Sequence, residues 1–256
     1  MPFVTVGGIP MFYTVAGRRG PAVVLIHGAG GSHLHWPAGM RRLPGAVVYA
    51  VDLPGHGRSG GEGRTRIEDY AADILGFMDG VGVARGVLVG HSMGGAIAQM
   101  TALTAPDRVA GLVLVGTGAK LRVAPVLLEG ILQDFPGVLA LMAEWAWGPG
   151  ADPALVARGR QMMARVSPRV VWGDFAACDG FDIRERIGEI AAPTLVITGS
   201  EDRMTPPRFG QWLTEHISGA RFVLIEGAGH MVMLEKPEEG VSAVREWLNT
   251  LQIPEK

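Results

Sequence analysis

Cysteine is almost missing: the chain has one, Cys178, in 256 residues. An intrachain disulfide is therefore impossible, and a zinc site built from cysteines is excluded. No run of lysine and arginine occurs, and the net charge is -2. Nothing in the charge pattern points to nucleic acid or to an anionic membrane surface, so neither is expected as a partner. No run approaches the ~18 apolar residues that a membrane span needs. The opening MPFVTVGGIPMFYTVAGRRG lacks a basic stretch followed by an apolar one, so no secretory signal is expected and the cytoplasm is the default location. The glycine loop after the first buried strand carries neither of two nucleotide-binding patterns. G-x-x-x-x-G-K-S/T does not occur, and Gly28-Ala29-Gly30 is followed by His33 where the last glycine of G-x-G-x-x-G would stand.

What is present is apolar and rich in glycine. Hydrophobic residues make up 48% and charged residues 19%, enough to bury a sizeable core. The length suits one large domain or a domain with one insertion. Six short apolar runs stand out: AVVLIHG (22–28), AVVYAVD (46–52), GVLVGH (86–91), VAGLVLVG (109–116), APTLVITG (192–199) and ARFVLIEG (220–227). They are nearly continuous rather than alternating, as in strands covered on both faces. FVTVGGIPMFYTVAG reads as a hairpin around Gly7-Gly8. RIEDYAADILGFMDGV and PEEGVSAVREWLNTL carry apolar residues at helical spacing, the second with Pro237 in its first turn. This alternation predicts a parallel α/β sheet with helices on both sides. Residues 118–188 break it. They hold no convincing strand, are rich in Leu, Met and Trp, and are punctuated by Pro125, Pro136, Pro149, Pro153 and Pro168. They read as a helical insertion laid over the sheet.

The chemistry centres on Gly90-His91-Ser92-Met93-Gly94, which fits G-x-S-x-G between a strand and a helix. A serine on so sharp a turn sits in strained backbone, and the turn needs neighbours without a Cβ. The hydroxyl is lifted clear of the sheet, and the following helix aims free N–H groups at it. Such a serine needs a base. His230 follows the last run of strand character and precedes the last helix, at the same sheet edge as Ser92. His27 is expected to hold loop backbone, His56 to lie in a turn, His91 to point away from Ser92, His33 and His35 to approach a pocket, and His216 to lie at the surface. Glu201 and Asp202 follow the strand run at 192–199. Asp202 is the preferred orienting acid, with Glu201 the alternative. Asp52 is expected to fix its own loop, and Asp179 and Asp182 to cap a turn or helix. The glycine loop after the first buried strand offers the N–H of Ala29, or failing that of Gly30, as one oxyanion donor. The N–H of Met93 is the other.

HGAGGS, DLPGHGRS, GHSMGG, GSEDRMTP and GAGHMVMLEKPEE, in this order and spacing, resemble the α/β-hydrolase superfamily, in particular its small cap-bearing serine esterases and C–C hydrolases. The resemblance implies a mostly parallel eight-stranded sheet, with a core domain of 1–117 and 189–256 and a helical cap at 118–188. It also implies catalytic roles for Ser92, Asp202 and His230, and no metal or organic cofactor. Related dehalogenases and epoxide hydrolases carry aspartate where this chain has Ser92, which argues for acyl transfer through a serine ester. The expected activity is hydrolysis of small to medium, largely apolar carboxylic esters. Gly28, Gly30, His91, Leu128, Trp145 and Met163 are the expected substrate contacts. C–C bond hydrolysis and lactone hydrolysis remain alternatives with the same triad, and a ligand-binding receptor on the same scaffold is the non-enzymatic one. The expected partner is a small-molecule ester. A monomer or small homo-oligomer is expected.

Overall fold

Gly7 and Gly8 turn the chain at once. Their φ values of 53° and 83° lie in the left-handed region that a two-residue hairpin turn needs. Strands β1 (Phe3–Val6) and β2 (Ile9–Ala16) pair antiparallel across it. The computed structural model describes residues 2–251.

All six apolar runs form strands: β3 (Ala22–Ile26), β4 (Val47–Val51), β5 (Gly86–His91), β6 (Val109–Val115), β7 (Thr194–Gly199) and β8 (Arg221–Ile225). The sheet has eight strands in the order β1-β2-β4-β3-β5-β6-β7-β8. From β4 through β8 every pairing is parallel, and β1 and β2 make the antiparallel edge. Successive residues of one strand feed opposite layers. Val24 and Ile26 of β3 join one apolar cluster, and Val23 and Leu25 join the other. Both faces are covered, so the strands read as continuous apolar runs.

Helices α1 (Ile67–Gly80) and α2 (Met93–Thr104) cover the first face. Four helices then lie between β6 and β7: α3 (Pro125–Gly130), α4 (Phe135–Trp145), α5 (Pro153–Met163) and α6 (Pro168–Asp179). Each has a proline in its first turn, where the missing N–H costs nothing. Pro149 falls between α4 and α5. The four helices hold a third apolar cluster, with Leu127, Ile131, Val138 and Phe175 among its members. A backbone bridge between Lys120 and Asp182 draws the two ends of this segment together.

Helix α7 (Pro207–His216) follows β7, and α9 (Pro237–Leu248) closes the second face with Val244 and Trp247. A one-turn helix, α8 (Val232–Glu235), stands between β8 and α9 and has no counterpart in the sequence reading. Parallel strands carry their following loops to one edge, so the segments after β3, β5, β7 and β8 meet there. Among the described residues no helix is long and apolar enough to cross a membrane.

Candidate active site

Ser92 is the one non-glycine residue with positive φ among the described residues (φ 53°, ψ -117°). Such a conformation costs about 1–3 kcal/mol and persists where its surroundings fix it. Here the Ser92 N–H donates to the Val115 carbonyl at 2.9 Å, and its own carbonyl accepts from the Thr117 hydroxyl at 2.8 Å. The glycines beside it serve close approach. A Cβ at Gly90 would lie 2.1 Å from the Gly94 carbonyl oxygen, and one at Gly94 2.2 Å from the Ile26 oxygen. Strand and helix therefore pack at backbone contact, and α2 begins at Met93 with its first-turn N–H groups beside the serine.

His230 and Asp202 meet at the same edge. The imidazole Nδ1 lies 2.9 Å from Asp202 Oδ2. A carboxylate only accepts, so Nδ1 carries a proton and the ring is oriented with Nε2 away from Asp202. Asp202 is itself held fast. Its Oδ1 accepts from the N–H groups of Met204 and Thr205 (2.9 and 2.8 Å), and its Oδ2 accepts from the Thr205 hydroxyl at 2.8 Å. Burial pushes this carboxyl upward, but the adjacent His230 and the Thr205 donors outweigh it and hold it below the ordinary value. Glu201 is exposed, and Asp202 is the acid brought to the imidazole. Thr205 escaped the sequence reading; its only signal was a position three residues after the acid.

His91 props His230 from behind. Its Nε2 donates to the His230 carbonyl at 3.0 Å, and the two rings stand 4.7 Å apart. Burial, with His230 next to it, drives its pKa well below the usual histidine value, so it is neutral. The loop of His230 also leans on the helical segment. Glu235 accepts from the N–H of Gly229 (3.0 Å) and of Gly148 (2.8 Å), and the Met231 N–H donates to the Ala146 carbonyl.

Ser92 and His230 line one cavity of about 240 Å³ together with Leu127, Trp145 and Phe175. They also line a smaller pocket of about 60 Å³ with Gly28, Ala29, His91 and Met163. Two expected contacts are placed differently. Leu128 packs against the apolar cluster of the helical segment, and its neighbour Leu127 turns to the cavity. Gly30 is not free to serve as the alternative oxyanion donor, because its N–H donates to Asp174 Oδ2 at 2.8 Å. Ala29 lies in the wall of the smaller pocket, and Met93 opens α2 next to the serine.

The other histidines are structural. His27 Nε2 accepts from the Leu53 N–H, and its Nδ1 donates to the Gly28 carbonyl. His33 bonds Asp52, which also accepts from the Arg58 N–H and so fixes its loop. His35 reaches the smaller pocket, and burial lowers its pKa to about 4. His216 ends α7 at the surface, stacked on Trp212.

Asp174, in the middle of α6, was not foreseen. It is fully buried and joins the helical segment to the core. Besides the Gly30 N–H it accepts from the Tyr70 hydroxyl and from His56 Nε2 at 2.7 Å. His56 Nδ1 faces the Pro54 carbonyl at 3.0 Å, so both ring nitrogens face acceptors, an arrangement that favours the imidazolium. Burial opposes that charge, yet the Asp174 carboxylate, the Pro54 carbonyl and Asp52 together outweigh it and raise the His56 pKa. Among the described residues no group of three or more His, Cys, Asp or Glu side chains is placed to hold a metal ion.

A strained serine at a strand–helix corner, a buried His–Asp pair beside it and an eight-stranded sheet beneath agree with the sequence profile of the alpha/beta hydrolase family, which matches residues 23–244. This chain belongs to the alpha/beta hydrolase family. As a family member it is 30% identical over 242 residues to a pimeloyl-[acyl-carrier protein] methyl ester esterase of Neisseria meningitidis, across 88% of this chain and 93% of that one. It is 29% identical over 251 residues to a 2-hydroxy-6-oxo-6-phenylhexa-2,4-dienoate hydrolase of Comamonas testosteroni, across 89% of this chain and 87% of the relative. Among solved structures, that of a thermophilic esterase superposes with a TM-score of 0.87 at 34% identity, covering 98% of both chains. The alpha/beta hydrolase fold and these relatives make the protein a hydrolase, of a branch rich in esterases.

Proposed function

We propose that this hydrolase is a serine carboxylesterase that cleaves small to medium esters through an acyl-enzyme. Ser92 attacks the ester carbonyl while His230 Nε2 takes its proton. The imidazolium then protonates the leaving alcohol. Asp202 holds the tautomer and stabilises the positive ring. The N–H groups of Ala29 and Met93 receive the oxyanion, and water releases the acid by the same route. The single observation that carries the reading is the 2.9 Å contact of His230 Nδ1 with Asp202 Oδ2 in a cavity shared with the strained Ser92. The esterases among its relatives support it as well.

Residues 118–188 act as a cap in this proposal. Leu127, Trp145 and Phe175 bring apolar walls to the cavity, and a volume of about 240 Å³ suits a short acyl or alcohol chain. Ser92→Ala should lower kcat on p-nitrophenyl esters by roughly 10⁴ or more. Near-normal turnover by that variant would end the mechanism. The dienoate hydrolase relative favours a second reading in which the same residues cleave a C–C bond or a lactone. A panel of p-nitrophenyl esters, lactones and a ring-cleavage diketone separates the two.

A further inference from the structure

An apolar substrate does not account for every side chain around the cavity. Arg122 and Arg203 line it alongside Ser92 and His230, and no Asp or Glu does. Both arginines are exposed, and among the described residues neither forms an ion pair with a carboxylate. A neighbouring groove of about 580 Å³ shares Arg122 and Phe209 with the cavity and adds Lys120, Arg184 and Arg208. Again no carboxylate lines it. Three acids come near this rim without lining it: Asp182, shared by Lys120 and Arg184 at 2.9 and 2.8 Å, Glu185 beside Arg184, and Asp179, which accepts from the Val123 N–H. The whole chain has more Asp and Glu (25) than Lys and Arg (23), so the single sign here is a local concentration.

The walls make that concentration effective. Phe209 and Trp212 supply a low-dielectric surface, and the Arg208 guanidinium lies over the Phe209 ring at 5.2 Å. Cations on an apolar wall focus their field into the groove, where water screens less than over an open surface. Guanidinium groups also match a carboxylate or phosphate with paired N–H donors.

We infer that the groove is an anion subsite of the catalytic cavity: the preferred ester carries a carboxylate or phosphate at the far end of its chain, held by Arg122 and its neighbours while the ester carbonyl lies at Ser92. This deepens the esterase reading and rests on it. The shared residues Arg122 and Phe209 set the path, since one substrate can lie in the cavity and extend past them into the groove.

The test compares p-nitrophenyl esters of straight-chain acids with esters of the same length ending in a carboxylate, and a third series ending in a phosphate. At low ionic strength the wild-type enzyme should show a kcat/KM roughly tenfold or more higher for an anionic series, mainly through KM. The advantage should shrink in about 0.5 M salt. Arg122→Gln and Arg208→Gln should each reduce the ratio of anionic to neutral kcat/KM. Preference for the carboxylate or for the phosphate series alone supports the subsite and identifies its anion. Neutral esters cleaved as well as or better than both anionic series at low salt would overturn the subsite and leave the esterase reading standing. That comparison needs no variant. If no ester of any series is cleaved and a fluorophosphonate does not label Ser92, the esterase reading fails, and the subsite with it.

Discussion

Replacing Asp174 tests how far the helical segment controls the catalytic edge. Asp174→Ala strands three donors at once: the Gly30 N–H, the Tyr70 hydroxyl and the His56 imidazolium. An unsatisfied buried donor costs about 1–3 kcal/mol, more when charged. Removing one partner of a buried ion pair costs about 3–5 kcal/mol. Three donors at the low end cost about 3 kcal/mol; because His56 can shed its proton and water can enter the space, a value near that end and inside the ion-pair range is the better guide, about 4 kcal/mol. For a domain of this size that corresponds to a fall in Tm of roughly 8–16 °C. Activity should fall as well, since Gly30 anchors the loop that carries Ala29, and a displacement near 1 Å can cost up to about 10²-fold in rate. Scanning calorimetry and single-turnover kinetics on Asp174→Ala and Asp174→Asn measure both. The pH dependence supplies a sign. His56 has a raised pKa, so its contribution is complete below its ordinary value of about 6.5 and fades as pH rises through the raised value. The stability gap between wild type and His56→Gln should therefore be wider at about pH 6 than at about pH 9. A Tm for Asp174→Ala within about 2 °C of wild type would refute the reasoning.

Three further substitutions have expected outcomes. Asp202→Asn should lower kcat by roughly 10⁴, because an amide no longer dictates which imidazole nitrogen holds the proton. Asp202 also has a lowered carboxyl pKa, so its stabilisation is complete above about pH 3.9 and lost as pH falls through the lowered value; denaturant titrations should show the gap to Asp202→Asn closing in acid. Gly94→Ala places a Cβ 2.2 Å from the Ile26 carbonyl oxygen, which is backbone and cannot yield; a loss above about 4 kcal/mol is expected in urea unfolding, and a wild-type midpoint would count against the packing described. Trp145→Ala enlarges the cavity wall beside Ser92 and should shift preference toward longer acyl chains; an unchanged chain-length profile would argue against a cavity lined from that helix.

The sheet was readable because its information is local. Each apolar run around Val24, Val89 or Ile197 carries its own signal, and strands covered on both faces leave little ambiguity. The strained Ser92 was readable for the same reason, since three glycines within six residues announce a corner. Asp174 was not. It stands in VVWGDFAAC with no local pattern, and its partners lie 104 to 144 residues away. Leu128 was the expected contact, while Leu127 is the one that lines the cavity; which of two adjacent leucines does so depends on the phase of a six-residue helix. Arg122 and Arg203 were passed over because isolated arginines look like ordinary surface charge until the fold turns them toward one opening.

Two carboxylates span the seam between the helical segment and the sheet, Asp174 reaching the glycine loop and Glu235 gripping both Gly148 and Gly229. A chimera that grafts a foreign segment onto this scaffold at the two ends of 118–188 would remove Asp174 and Gly148 while leaving Ser92, Asp202 and His230 in the sequence. A grafted segment would need its own acid for Gly30 and a well-placed backbone N–H for Glu235 to restore these ties, so the segment and the loops it touches are expected to change together.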